Sequence, residues 1–296
     1  MPPNRHRLLV VALALAGCGG GADTVPDDGG MMDAAPGPDM ALGPIGLPGR
    51  FDATATIDGV DRTFILYVPA SAVAAMANGP VPLLFALHGA GDAAEHFMTA
   101  TALDKLADKS AFVLAVPDGY NNGWFVQTNE GWPGTDGQSN SVANDIHLLQ
   151  YIIDTTAGGY RVDPKRYYVC GFSRGAAFTG LLAAASQNTK ILAGKYTSPF
   201  AAYGISAGYN PFGNAGALDL AASGPKRPLW ILHGDADQTV PFANGKAFAD
   251  DLDAAAWPVT FTSVAGAGHN WLWRQAYGQS NDDLWSYFLA NPLPGN

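Results

Sequence analysis

Ser173 stands in Gly171-Phe172-Ser173-Arg174-Gly175, a stretch whose residue types and spacing suit a nucleophile. A serine hydroxyl attacks poorly unless a neighbouring base takes its proton, and it must stand clear of its own backbone to meet a substrate. The G-x-S-x-G spacing meets the second need where it joins a strand to a helix. The chain then turns sharply, the glycines let backbone pass close on both sides, and the helix N-terminus aims its N–H groups at the serine oxygen. The flanks have this character: a β-type run, Arg166–Cys170, precedes the pentapeptide and a helix-type run, Ala176–Ala185, follows it. The chemistry such a turn supports is acyl transfer, with one oxyanion donor from the backbone N–H of the residue after the nucleophile, Arg174.

A base and an orienter are still required, and only His233 and His269 follow Ser173 in the chain. His233 closes the apolar run Pro228–Gly234 and reads as a packing residue at a strand end. His269 lies in Ala265-Gly266-Ala267-Gly268-His269-Asn270, after the β-type run Val259–Val264. A histidine on a glycine-rich loop at a strand end can reach an active site. Between the two histidines stands Gly234-Asp235-Ala236-Asp237-Gln238-Thr239-Val240-Pro241. Either aspartate could orient His269, and both residues also suit a plain turn.

The elements that must hold these residues alternate along the chain. β-type runs lie near 51–58, 62–68, 82–87, 111–116, 166–170, 200–206, 228–233 and 258–264, and helix-type runs near 93–108, 142–157, 175–186, 243–254 and 281–290. Two leading strands form an antiparallel edge, and alternating strands and helices form a mostly parallel central sheet with helices on both faces, an α/β class. The candidate residues then fall at the carboxyl ends of strands, where open α/β sheets bind ligands. Asp118 also falls at a strand end and reads as a turn residue.

Several segments together make the chain resemble the esterase branch of the α/β-hydrolases that holds polyhydroxybutyrate depolymerases, feruloyl esterases and acetylxylan esterases. They are Leu87-His88-Gly89, Val116–Gly119, Val162–Arg166 leading into the elbow, Phe200–Gly208, His233-Gly234 to Val240-Pro241, and Gly268–Trp271. The resemblance spans roughly residues 60 to 290. It implies an α/β-hydrolase fold and cofactor-free hydrolysis of small-molecule or polymeric esters by a triad of Ser173, Asp237 and His269. The acid in that pattern stands three residues before Val-Pro, which selects Asp237 over Asp235. The second oxyanion donor is then Ala90, with Gly91 close behind, and His88 is structural with a backbone partner. Tryptophans in the relevant loops, Trp124, Trp132, Trp271 and Trp273, are candidates for an aromatic wall, Trp124 and Trp271 foremost. The Arg174 side chain, at the start of the elbow helix, is a candidate contact for an anionic or polar substrate group.

The first residues carry a separate message. Arg5, His6 and Arg7 precede the apolar run Leu8–Ala16, which is the size of a signal-peptide core and too short for a permanent bilayer span. It ends in Leu15-Ala16-Gly17-Cys18, which resembles the bacterial lipobox. The resemblance implies cleavage before Cys18, acylation of that cysteine and an outer-membrane or cell-surface lipid anchor, since Gly19 and Gly20 follow. Residues 19–50 contain no aromatic residue and are dominated by Gly, Pro, Ala and Asp, a composition that reads as a disordered tether. Residues 51–296 remain as one catalytic domain, an ordinary size for an α/β fold.

Composition excludes several other classes. The formal net charge is −10, with 26 acidic against 16 basic residues and no basic cluster, so nucleic acid is a poor partner. None of the six histidines has metal-ligand spacing, no phosphate-binding loop motif occurs, and no metal or cofactor is expected. Of the two cysteines, Cys170 sits in the apolar strand before the elbow and reads as a buried hydrophobe. A serine peptidase of similar architecture and a non-catalytic surface lipoprotein remain as alternatives. A peptide anilide tests the first against an acetyl ester, and a phosphonate probe tests the second.

Overall fold

Strand β4 (Val81–Leu87) shows why this chain builds a layered sheet. All seven of its residues are buried. Leu83, Phe85 and Leu87 join one apolar cluster, and Leu84 and Ala86 join another on the opposite face. Alternate side chains leave opposite faces of a strand, so an apolar run of this kind demands cover on both sides. The computed structural model describes residues 5–6, 46–126, 142–187, 196–211 and 220–295.

Among the described residues the strands are β1 (Arg5–His6), β2 (Gly49–Ile57), β3 (Val60–Val68), β4, β5 (Val113–Pro117), β6 (Val162–Phe172), β7 (Ala202–Ser206), β8 (Leu229–Gly234) and β9 (Val259–Val264). They lie in the order β1-β2-β3-β5-β4-β6-β7-β8-β9. The β2–β3 hairpin and the β3–β5 pair are antiparallel, and every neighbour from β5 through β9 is parallel. The expected antiparallel edge and parallel body are both present.

The helices are α1 (Ala70–Met76), α2 (Ala94–Thr101), α3 (Leu103–Ser110), α4 (Val142–Gly159), α5 (Arg174–Ala184), α6 (Phe242–Ala254) and α7 (Asn281–Leu289). Ile146, Leu149 and Ile152 of α4, Phe178 and Leu181 of α5, and Phe248 and Leu252 of α6 pack in the first cluster. Phe97 and Met98 of α2, Leu103 and Leu106 of α3, and Leu284, Trp285 and Phe288 of α7 pack in the second. Two features differ from expectation. The single helix expected over 93–108 is two helices, because Ala102 adopts a left-handed conformation (φ 55°) that ends α2 and starts α3. The seven-residue α1 was not expected at all; it is built of small residues and buries little beyond Ala72.

After β1, the first described strand is β2, which starts at Gly49. Of the expected leader, only Arg5–His6 falls among the described residues, where it pairs in parallel with Arg50–Phe51. Cys18 and the greater part of the expected tether lie outside them, as does Trp132.

Candidate active site

The turn after β6 is forced by contact as well as by sequence. A Cβ on Gly171 would collide with the Gly175 carbonyl, and one on Gly175 would collide with the carbonyls of Leu87 and His88. Only glycine lets the elbow close against itself and against β4. Ser173 at its apex has φ 54° and ψ −117°, a sparsely populated conformation that a non-glycine residue holds only when its surroundings impose it. Those surroundings include its N–H, which donates to the Ser206 carbonyl at 3.0 Å, and its carbonyl, which accepts from Ala177 N–H at 3.0 Å.

His269 meets Ser173 from the loop after β9. Its Nε2 lies 2.9 Å from Ser173 Oγ and its Nδ1 lies 2.7 Å from Asp237 Oδ2. The carboxylate can only accept, so Nδ1 carries the hydrogen and Nε2 is left to take the serine proton. The Phe172 ring lies 4.8 Å from the imidazole, centroid to centroid. The Asp237 side chain has no exposure to solvent. Its Oδ1 accepts from the N–H groups of Thr239 and Val240, each at 2.9 Å. Burial alone would push the Asp237 carboxyl up; hydrogen bonds from His269, Val240 and Thr239 outweigh it and hold the group below its ordinary value.

Asp235 takes the other position open to it. Its Oδ1 accepts from Gly266 N–H at 2.7 Å, which ties the turn after β8 to the glycine-rich loop carrying His269. It does not contact the imidazole.

The loop after β4 is built around His88, which is fully buried. Gly119 N–H donates to its Nε2 at 2.9 Å, and Nδ1 lies 2.7 Å from the Gly89 carbonyl oxygen. An amide N–H only donates and a carbonyl only accepts, so the ring is neutral with its hydrogen on Nδ1. Burial lowers its pKa from the ordinary 6.5. The Gly89 carbonyl also accepts from Asp92 N–H at 3.2 Å. With that oxygen held twice, the other side of the same peptide, Ala90 N–H, is turned the opposite way. Gly91 N–H is consumed by the Asn122 carbonyl at 2.7 Å, whereas among the described residues neither Ala90 N–H nor Arg174 N–H is committed to a backbone acceptor. Asp118 sits beneath this loop as a turn residue: Oδ1 accepts from Ala94 N–H at the start of α2, and Oδ2 from the Thr63 hydroxyl. The buried pair Arg62–Asp145, 2.7 Å apart, extends the support, since Arg62 also reaches the Asp118 carbonyl and Asp145 accepts from Phe125 N–H.

Two residues expected to contact substrate lie buried in the structure. Trp124 is only 2% exposed; it stacks on Phe178, and its indole N–H donates to the His88 carbonyl. Trp271 is 4% exposed, packed against Phe97 and Trp273, with its N–H on Asn281. Trp273 is likewise buried. These rings pack within the two apolar clusters. The Arg174 side chain is partly exposed and lies against Gly123; among the described residues it has no hydrogen-bond or ion-pair partner. Cys170 is buried, and burial pushes its thiol up, away from reactivity.

Two supporting residues escape a reading of the chain alone. Ser206, at the end of β7 and fully buried, accepts Ser173 N–H with its carbonyl. Its hydroxyl accepts from Leu272 N–H at 2.9 Å and donates to the Asn270 carbonyl at 3.2 Å, so one residue ties the elbow to the segment just after His269. His233 does more than pack: its Nε2 lies 2.9 Å from the Val240 carbonyl oxygen and 3.4 Å from Asp237 Oδ2. Among the described residues, no group of three or more His, Cys, Asp or Glu side chains is arranged to hold a metal ion, and no helix is long and apolar enough to cross a membrane.

Known proteins share this architecture. An S-formylglutathione hydrolase from Agrobacterium tumefaciens aligns over 82% of this chain and 94% of its own, with a TM-score of 0.59 at 15% identity. A thermostable esterase aligns over 82% of this chain and 63% of its own, with a TM-score of 0.58 at 17% identity. In sequence, an esterase by name from Nocardia uniformis subsp. tsuyamanensis is 30% identical over 196 residues, 64% of this chain and 51% of its own. Feruloyl esterase B of Thermothelomyces thermophilus is 29% identical over 43% of this chain and 42% of its own. Poly(3-hydroxyalkanoate) depolymerase C of Paucimonas lemoignei is 28% identical over 55% of this chain and 42% of its own. The chain thus spans about half the length, or less, of these three relatives. The family model described as esterase PHB depolymerase matches residues 62–267, well over half of the chain. The chain belongs to that family, and it is a carboxylic ester hydrolase on an α/β-hydrolase fold.

Proposed function

We propose that this hydrolase is a serine esterase that works through an acyl-enzyme on Ser173, with hydroxyalkanoate oligoesters or feruloyl and acetyl esters of polysaccharide as its substrates. The observation that carries the reading is the continuous relay Asp237–His269–Ser173, with links of 2.7 and 2.9 Å. In this mechanism Ser173 Oγ attacks the ester carbonyl carbon while its proton passes to His269 Nε2. Asp237 holds the imidazole tautomer and stabilises the imidazolium. The N–H groups of Ala90 and Arg174 receive the oxyanion. The C–O bond to the alcohol then breaks as His269 returns the proton to the departing oxygen. Water, deprotonated by the same nitrogen, attacks the acyl-enzyme and frees the acid.

The feruloyl and hydroxyalkanoate classes are those named for the feruloyl esterase and depolymerase relatives, and the acetyl class is the one named for acetylxylan esterase A of Emericella nidulans, 29% identical over 42% of this chain. With Trp124 and Trp271 buried, the Arg174 guanidinium is the remaining candidate for substrate contact, and it favours esters with a carboxylate or several carbonyl oxygens near the scissile bond. The lipobox-like Leu15–Cys18 and the tether composition support export and a surface lipid anchor. Two measurements test the reading. A fluorophosphonate should label Ser173 alone, and Ser173→Ala should abolish hydrolysis of a short chromogenic ester. A panel of methyl ferulate, acetylated xylan and hydroxybutyrate oligomers then ranks substrates. Labelling elsewhere, or activity retained in Ser173→Ala, overturns the mechanism.

A further inference from the structure

His233 is the penultimate residue of β8 and is wholly buried. Its ring sits where α6 has been cut away for it: a Cβ on Gly245 would collide with Nδ1. Nε2 faces the Val240 carbonyl at 2.9 Å. That oxygen can only accept, so Nε2 carries the hydrogen. Nδ1 is buried with no hydrogen-bond partner. A buried polar atom left unpaired costs stability, and a phenylalanine of similar shape would avoid that cost. Packing therefore does not explain a histidine at this position, whereas the contacts of Nε2 do.

Those contacts converge on the acid arm of the relay. Asp237 Oδ1 is held by the N–H groups of Thr239 and Val240, and Oδ2 is shared by His269 at 2.7 Å and His233 at 3.4 Å. Val240 is thus gripped from both ends, its N–H by Asp237 and its carbonyl by His233. We propose that His233 is a positioning residue of this esterase, whose Nε2–H locks the Asp237–Val240 turn and faces Oδ2, so that the carboxylate presents one fixed oxygen to His269. The inference rests on the acyl-enzyme reading above. When His269 becomes an imidazolium, a carboxylate held on both oxygens does not have to reorient, and that is how fixed dipoles lower a barrier.

The experiment compares His233→Phe, which fills the space without a donor, with His233→Gln, whose amide nitrogen can reach where Nε2 stands. Each is made in the full chain and in the Asp237→Asn background, with Ser173→Ala as control. On a neutral chromogenic ester, His233→Phe should lower kcat about tenfold or more with KM within about threefold, the scale of one hydrogen bond to a charged group. Its Tm should be equal or higher, because the orphaned Nδ1 is gone. His233→Gln should recover most of kcat. In Asp237→Asn, His233→Phe should cost little further, since groups acting as a unit are not additive. The proposal is overturned if His233→Phe keeps kcat within about twofold, if the two losses multiply fully, or if kcat falls only together with Tm and His233→Gln restores neither. Residual activity in Ser173→Ala would instead overturn the acyl-enzyme reading.

Discussion

Asp235 and Asp237 differ by two positions, and their hydrogen bonds assign them opposite duties. Asp237 holds His269; Asp235 holds the loop that delivers it, through Gly266 N–H. Replacing Asp237 by Asn offers His269 an amide in place of a carboxylate, removes the countercharge and favours the wrong tautomer. Asp237→Asn should therefore lower kcat by roughly 10⁴, the scale of the same change in a serine protease triad. Asp235→Asn keeps an acceptor for Gly266 and should lose less than about tenfold, the scale of one neutral hydrogen bond. Steady-state kinetics of the two variants checks the pair, and a larger loss in Asp235→Asn would reverse the assignment. At this scale much was legible in the chain. The elbow pentapeptide, the two aspartates and the loop histidine stand out by type and spacing, and the spacing to Val240-Pro241 pointed to Asp237. His233 and Ser206 did not stand out. Their partners are backbone atoms brought near by the sheet, and an apolar run ending in histidine looks the same whether or not its ring touches an aspartate. The burial of Trp124, Trp271 and Trp273 was not legible for a related reason. Trp124, Trp271 and Trp273 do lie in loops, but whether an indole faces out or under a loop depends on partners such as Phe178 and Phe97 that lie far along the chain.

The elements show the same division. Strands buried on both faces, such as β4, declare themselves by continuous apolar residues, and the order of strands and helices follows from them. The break between α2 and α3 does not declare itself, because a left-handed residue at a helix end is usually glycine and here is Ala102. The loop between β4 and α2 is where element and chemistry meet. Its shape depends on a neutral His88 that donates to Gly89 and accepts from Gly119. Burial holds the His88 pKa below 6.5 in the folded chain, while the unfolded chain titrates near 6.5. Below that pH the unfolded state therefore binds more protons, and stability falls as pH drops from 6.5 toward the folded-state value. The contribution is fully present above pH 6.5. Thermal unfolding from pH 7.5 to 5 should accordingly show a falling Tm in the wild type. His88→Asn and His88→Gln carry a side chain that does not titrate, and they should start lower but fall less steeply over that interval. An unchanged slope in both variants would remove His88 as its source.

On the scale of the whole molecule, the described residues build the sheet and both apolar layers from Gly49 onward, with β1 as the one described element before it. β2 pairs with β3 along its full length, from Gly49–Val68 to Ile57–Val60, while β1 adds only Arg5 and His6 at the outer edge. Both core clusters are assembled from residues 51 onward. Among the described residues, cleavage before Cys18 would thus remove the β1 edge pair and leave β2 through β9, both apolar layers and the whole relay. Export followed by lipidation at Cys18 is compatible with this division of labour, and the Gly/Pro/Asp-rich stretch between Cys18 and β2 would give the domain reach from a membrane surface. Expressed with its own leader in a Gram-negative bacterium, the mature chain should begin at an acylated Cys18 and fractionate with membranes. Cys18→Ser should block cleavage at that site. A chain starting at residue 19 should be recovered without lipid, with the Tm of the full chain and unchanged kcat/KM on a short soluble ester, because neither layer nor relay is touched. Mass spectrometry of the mature N-terminus decides the anchoring claim: an unlipidated chain beginning elsewhere refutes it. A lowered Tm in the chain from residue 19 would show instead that the leader strand contributes to the fold, and would count against its removal in the mature protein.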